Sequence, residues 1–248
     1  MQAVTTPGAT PIEQHGRPWW RATWPLHRRE WCQLAIALVV VVAVGAIVGL
    51  VLTDWLAPNA LTRLDLDVAR RLARGRTSTG NDLARWGASV SETPVKIAAT
   101  LVIALVMLRR WRRWYEPLFI TLPLVFEASA FMAMTLIVRR PRPAVHHLLG
   151  SPVASSFPSG HVAAATVYLA IAIVVFRHTR SLAVRVVVTI AAVVAPIVVS
   201  WARMYQGMHN LSDVVAGAVL GLVSIVICAR ILGPPPPTGA ARAVAPEH

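Results

Sequence analysis

The stretch LAIALVVVVAVGAIVGLVL at residues 34–52 contains no charged side chain. A helix needs about 20 apolar residues to cross the hydrocarbon core of a bilayer. Because a backbone in lipid must satisfy its own hydrogen bonds, this stretch predicts a membrane-spanning α-helix. About thirty residues precede it and no clear small-residue cleavage site follows it, so we expect an anchor and not a cleaved signal peptide.

Five more apolar runs follow. The chain has 248 residues, of which 56% are hydrophobic and 14% charged, and its mean hydropathy of +0.58 is too high for an ordinary soluble domain. We predict an all-α bundle of six transmembrane helices over residues 34–232. A partly disordered cytoplasmic segment precedes it at 1–33, and a disordered cytoplasmic tail follows at 233–248. The further spans are expected at about Val95–Leu108, Pro117–Val138, His161–Phe176, Val184–Trp201 and Leu211–Leu232.

The formal net charge of +13 comes almost entirely from arginine, since Lys96 is the only lysine. The arginines lie between apolar runs and form no continuous stripe, so they indicate membrane topology and not nucleic-acid binding. With six spans, the arginines at 28–29, 109–113 and 177–185 fall on one side, which the positive-inside rule makes cytoplasmic. Both termini are then cytoplasmic, and the loops after the third and fifth spans face outward from a bacterial plasma (inner) membrane.

The segment between the first two spans contains a helical pattern. Leu61, Leu64, Val68 and Leu72 share one helical face, and Thr62 with Asp65 resembles a capping box. We expect an amphipathic helix on the outer leaflet; a solvated hairpin is the alternative.

Three polar clusters lie in the two outward loops. They are the arginine cluster (RRPRP, 139–143), the FPSGH cluster (157–161) and the Arg–His–Asp cluster (Arg203, His209, Asp213). Since all three fall on the same side of the membrane, they can converge on one surface site. Together they hold cationic phosphate ligands, a Ser-Gly turn, two histidines and a carboxylate, which suits phosphoryl transfer without a metal.

The first two clusters suit anion binding. Arg142 lies between two prolines on a stiff, extended backbone, and its guanidinium can bind phosphate or, alternatively, anionic headgroups. Ser159 and Gly160 precede a helix-forming run and offer a hydroxyl and backbone N–H groups at a helix N-terminus. His161 is either a catalytic group or a polar end-cap of the span.

The third cluster suits nucleophilic catalysis. On a helical path His209 and Asp213 are four residues apart and can face each other. An aspartate bonded to one imidazole nitrogen would fix the tautomer and leave the other nitrogen free to attack. Alternatively, Asp213 only caps the N-terminus of the sixth span.

FPSGH and the Arg203-x5-His209-x3-Asp213 spacing resemble the type 2 phosphatidic acid phosphatase superfamily over roughly residues 60–230. The resemblance implies that His209 is the nucleophile, that Asp213 orients it, and that His161 is the general acid. It further implies that no metal or other cofactor is needed. The phosphate ligands that it implies are Arg142, Arg203, Ser159 and the Gly160 N–H.

The chain departs from the family pattern at Thr135, where a lysine usually stands seven residues before the arginine aligned with Arg142. Arg139, one turn further on, or Arg140 would then supply the missing charge. Glu127 is an acid in mid-span, on the same helix face as Thr135. We favour a neutral Glu127 hydrogen-bonded inside the bundle over one that pairs with an arginine near the site.

The leading interpretation is a lipid phosphatase that removes a terminal phosphate at the outer leaflet. Its partners are the bilayer and a lipid phosphate such as a polyprenyl pyrophosphate, phosphatidic acid or phosphatidylglycerol phosphate. A lipid phosphotransferase, which passes the phosphoryl group to an acceptor other than water, is one alternative. A weakly active or non-catalytic lipid-phosphate binder or transporter is the other.

Overall fold

A computed structural model describes residues 24–55, 59–150 and 155–235, and these parts are helical with no β-strand. The predicted all-α class is therefore confirmed. Most of the predicted terminal segments, 1–33 and 233–248, lies outside the described residues. The helices are α1 (Arg28–Leu50, continued by a π-helical turn, Val51–Trp55), α2 (Ala60–Arg74), α3 (Ser78–Ser89), α4 (Thr93–Trp111), α5 (Tyr115–Val138), α6 (Gly160–Val167), α7 (Leu169–His178), α8 (Leu182–Tyr205) and α9 (Leu211–Leu232).

Five stretches within the described residues are long and apolar enough to cross a membrane. A sixth span is present only if α3 and α4, which meet at an angle of 46°, are taken together as one bent span. Pro94 lies in the first turn of α4, where a proline starts a helix without losing a hydrogen bond, so the chain breaks there and begins a new helix. The five stretches are Arg28–Trp55, Tyr115–Val138, Gly160–His178, Leu182–Tyr205 and Leu211–Leu232.

Close packing of α6 against α9 sets the position of the FPSGH cluster. A Cβ atom added at Gly217 would lie 2.4 Å from the Ser159 carbonyl oxygen, and one at Gly221 would lie 2.5 Å from that of Ala163. Glycine at both positions therefore allows the backbones of the two helices to touch, as small residues do between membrane helices. This contact brings the start of α6 beside the first turns of α9.

Helix α2 is present as predicted, but its cap and its buried face differ from the prediction. Asn59 caps the helix, since its Oδ1 accepts from the backbone N–H groups of Leu61 at 2.9 Å and Thr62 at 3.2 Å. The expected Thr62–Asp65 box is wrong because Thr62 is already the third residue of the helix and bonds back to Asn59. Leu64 is exposed, whereas Asp65 is buried against the bundle.

Glu127 forms an ion pair with Lys96 and not with an arginine. Its Oε1 lies 3.5 Å from Lys96 Nζ, and the carboxylate is fully buried. The second oxygen, Oε2, has no hydrogen-bond partner among the described residues. The favoured position inside the bundle is thus confirmed, whereas the alternative of an arginine partner is wrong, since the chain's only lysine takes that place on α4.

We expect Lys96→Met to lower the free energy of unfolding by about 3 kcal/mol, because it leaves the buried carboxyl group of Glu127 without its partner in the bundle. The double variant Lys96→Met/Glu127→Gln should unfold closer to the wild type than Lys96→Met alone, since it removes both charges. Thermal unfolding in detergent micelles measures both effects. Arg85→Met is the control, because Arg85 and Asp82 form a pair whose side chains are 69% and 63% exposed. Equal losses in Lys96→Met and Arg85→Met would refute the assigned role of the pair.

Candidate active site

Hydrogen bonds join the arginine cluster to Ser155 and Ser156, the two residues just before the FPSGH cluster. Ser156 N donates to the Arg140 carbonyl at 2.8 Å, and Arg140 N donates to Ser155 Oγ at 3.1 Å. The chain after α5 therefore folds back on itself before α6 begins. As a result, the residues just before FPSGH lie directly beside the arginines.

The Arg–His–Asp cluster contacts both of the others. Ser159 N donates to the Asp213 carbonyl at 3.0 Å, and Arg142 Nη1 donates to the Met208 carbonyl at 2.5 Å. The three clusters therefore lie together where α5 and α8 end and where α6 and α9 begin.

His209 is buried, and its Nδ1 lies 2.7 Å from the Ser156 carbonyl oxygen. Because a carbonyl can only accept, Nδ1 carries the proton and Nε2 keeps its lone pair. Burial lowers the pKa of His209 well below its ordinary value of 6.5, and the charges of Arg203 and Arg142 lower it further. The ring is therefore neutral at pH 7, as a nitrogen nucleophile must be.

Asp213 does not contact His209 in the way that the spacing predicted. Its carboxylate accepts from Asn210 N at 2.7 Å, from Asn210 Nδ2 at 3.1 Å and from Arg140 Nη1 at 2.5 Å. The prediction of a direct bond is wrong because α9 begins only at Leu211, so the path from His209 to Asp213 is not helical. Asn210 and Asp213 form a capping box instead, which was the alternative, and Ser156 takes the place of the carboxylate.

Ser159 precedes the first residue of α6, and its Oγ is buried with no hydrogen-bond partner in the described part of the chain. The N–H groups of Gly160 and His161 belong to the first turn of that helix, where no intrahelical acceptor exists. A hydroxyl and free N–H groups at a helix N-terminus form an anion site. His161 itself is half-buried at this end.

Arg203 lies in the last turn of α8 and is 7% exposed. Its Nη1 donates to Gln206 Oε1 at 3.0 Å, while its Nε has no partner among the residues described. Gln206 in turn donates to the Ala84 carbonyl on α3 at 2.9 Å. Sequence reasoning missed Gln206. This residue accepts from the Arg203 guanidinium and is itself held by its bond to Ala84, which is 122 residues away in sequence.

Arg142 is half-buried beside the same site. Burial lowers its pKa from the ordinary 12.5, whereas the Asp213 carboxylate opposes that shift. An arginine stays charged at neutral pH after such a shift, so Arg142 contributes a cation together with Arg203.

The structure places the remaining predicted residues less favourably. Thr135 is buried, and its Oγ1 donates to the Met132 carbonyl of its own helix at 2.8 Å. Arg140 bonds to Asp65 and Asp213, so the idea that it replaces the missing lysine is wrong: two carboxylates already share its charge. Arg139 ends α5 with a φ of 45° and an exposed side chain, and its role stays a prediction.

These features define a helical integral membrane protein with an arginine- and histidine-lined site at one end of the bundle. The sequence profile of the PAP2 superfamily matches residues 118–234, which contain all three clusters. This match confirms the resemblance seen in the motifs of the chain.

Two solved structures share this fold. A transmembrane PAP2-type phosphatidylglycerolphosphate phosphatase from Bacillus subtilis is 22% identical, with a TM-score of 0.66 over 78% of this chain and 92% of that one. LpxE from Aquifex aeolicus is 23% identical, with a TM-score of 0.50 over 66% of this chain and 93% of that one. No curated protein matches the chain significantly.

Proposed function

We propose that the protein is a lipid phosphate phosphatase that works through a phosphohistidine. The observation that carries the proposal is the His209 ring, whose Nδ1 is held by the Ser156 carbonyl and whose Nε2 is left to attack. Two arginine charges act on this ring, those of Arg203 and Arg142. A neutral imidazole beside two cations is suited to attack an anionic phosphate.

In the first step, Nε2 of His209 forms a bond to phosphorus and the bond from phosphorus to the lipid oxygen breaks. His161, which takes up a proton when the anionic phosphate binds beside it, gives this proton to the leaving oxygen. In the second step, His161 takes a proton from a water molecule, whose oxygen attacks phosphorus and breaks the N–P bond. Inorganic phosphate leaves, and both histidines return to their starting states.

Unpartnered donors around the ring support phosphate binding. Arg203 Nε and Ser159 Oγ are buried without partners in the described ranges, and phosphate oxygens would satisfy both. Arg142 and the Gly160 N–H complete the proposed set. Charge on the phosphate oxygens is then balanced by guanidinium groups and backbone dipoles, which is a main source of rate in phosphoryl transfer.

An apolar groove supports a lipid substrate. It has a volume of about 560 Å³ and runs between α1 and α9, from Val40 and Val223 up to Phe157 and Pro158. Along α1 it spans residues 40–52, about 18 Å of helix. A hydrocarbon chain in this groove would end beside Pro158, the residue that directly precedes Ser159. We place this end of the bundle on the outer face of the plasma membrane, by the positive-inside rule.

Phosphate release from purified protein in detergent micelles tests the proposal. The substrates are phosphatidic acid, phosphatidylglycerol phosphate and a polyprenyl pyrophosphate. We expect release from at least one of them, at an unchanged rate in EDTA, because arginines balance the charge that a metal would otherwise balance. A tenfold loss in EDTA that Mg²⁺ restores would contradict this. Phosphorylation of an added alcohol would favour the phosphotransferase, and lipid binding without release would favour the binder.

A further inference from the structure

Asp65 is a buried carboxylate that the proposed chemistry does not use. It lies in the middle of α2 and is 2% exposed. Its Oδ1 accepts from Ser212 N at 2.9 Å, and its Oδ2 accepts from Ser212 Oγ at 2.5 Å and from Arg140 Nη2 at 3.0 Å. Three donors therefore satisfy this buried carboxylate, and the two bonds from Ser212 join α2 to the start of α9.

Arg140 extends this contact into the proposed site. Its second terminal nitrogen bonds to Asp213, so one guanidinium bridges two buried carboxylates. Its backbone N–H and C=O bond to Ser155 Oγ and Ser156 N. Arg140 therefore fixes the short segment that ends in the Ser156 carbonyl.

The Ser156 carbonyl is the group that holds His209 Nδ1 at 2.7 Å. We infer that Asp65 is a positioning residue for His209, acting through Arg140 and the Ser156 carbonyl; this rests on the proposed function. Every link in this path is a hydrogen bond of 3.0 Å or less: Asp65 to Arg140, Arg140 to Ser156, and Ser156 to His209.

The charges distinguish positioning from phosphate binding. Arg140 with two carboxylates carries a net charge of −1, and loss of the Asp65 charge makes the group neutral. A more neutral group does not weaken the binding of an anionic phosphate. Loss of the Asp65 carboxylate does, however, remove the hydrogen bond that holds one terminal nitrogen of Arg140. A displacement of the nucleophile by about 1 Å then lowers the rate about 100-fold. The inference therefore predicts a loss in kcat without a rise in KM.

Asp65→Asn is the test, with Asp67→Asn as the matched control. Asp67 lies on the same helix with an exposed side chain, so the control makes the same chemical change outside the path. We expect Asp65→Asn to lower kcat about 10- to 100-fold with KM within about twofold, and Asp67→Asn to behave as the wild type. A kcat within twofold of the wild type for folded Asp65→Asn would overturn the inference.

Two further measurements keep the test decisive. If Asp65→Asn fails to fold, Ser212→Ala removes the Ser212 hydroxyl, which donates to Asp65 and accepts from Arg140 Nη1, and keeps the charge pair; we expect a severalfold loss in kcat. Ring nitrogen NMR of His209 reports the Nδ1 bond without any turnover, and its signals should shift in Asp65→Asn but not in Asp67→Asn. An inactive wild type would refute the proposed function, whereas unchanged His209 signals in Asp65→Asn would refute the path itself.

Discussion

We expect replacement of His209 by alanine to abolish phosphate release, with a loss of about 10⁴-fold or more. In the proposed first step the imidazole forms the bond to phosphorus, and no other described side chain takes its place against the Ser156 carbonyl. Lipid binding should persist, because the arginine charges and the apolar groove are unchanged. Phosphate release and the binding of a radiolabelled lipid phosphate, measured on the same preparation, separate these two effects.

The control for this variant is His146→Ala. His146 has an exposed side chain in the loop after the arginine cluster, and it contributes to the structure through its backbone carbonyl, which accepts from Arg76 Nη1 at 2.7 Å. We expect normal turnover, since the alanine keeps that carbonyl. Phosphate release by His209→Ala at a tenth of the wild-type rate or more would show that another group attacks phosphorus, and the phosphohistidine proposal would fail.

The membrane helices could be predicted from the sequence because their signal is local. An uncharged run such as residues 34–52 decides its own structure, since lipid leaves the backbone no alternative to a helix. The second predicted span was the shortest of the six, and the reason is also local. Pro94 divides it from α3, and the apolar part of α4 alone was short.

The meeting of the three clusters followed from topology alone, since the loops after the third and fifth spans must lie on the same side of the membrane. The hydrogen-bond partner of His209 could not be predicted from topology. Predicting Asp213 required a helical path from residue 209, but Asn210 ends the loop and caps α9. The Asn210-x-x-Asp213 pattern of a capping box was the signal that favours the observed arrangement.

The groups that hold the site in place had no sequence signal of their own. Ser156 acts through a backbone carbonyl, which any residue would supply. Asp65 accepts a hydrogen bond from Arg140, which is 75 residues away in sequence. Gln206 donates one to Ala84, which is 122 residues away. Asp65 occurs on a helix that was expected to lie with its apolar face on the outer leaflet. Such contacts depend on how helices pack, which one sequence without its fold does not reveal.

His161→Asn should give a loss that depends on the leaving group. Protonation of the leaving oxygen matters most when that oxygen is a poor leaving group, as in a lipid alkoxide. We therefore expect a loss of about 10³-fold with phosphatidic acid and a much smaller loss in the first step with p-nitrophenyl phosphate, whose phenolate leaves without a proton. Single-turnover release of nitrophenol and steady-state hydrolysis of phosphatidic acid measure the two effects.

The same variant should also trap the intermediate. With p-nitrophenyl phosphate the first step proceeds, but the water that must attack the phosphohistidine has lost its base. His161→Asn should then release about one nitrophenol per protein molecule in a burst, followed by slow turnover, with phosphate retained on His209. The double variant His161→Asn/His209→Ala should show no burst, because no nucleophile remains. Equal losses on both substrates with no burst would assign His161 to phosphate binding and not to proton transfer, since a binding group acts alike on good and poor leaving groups.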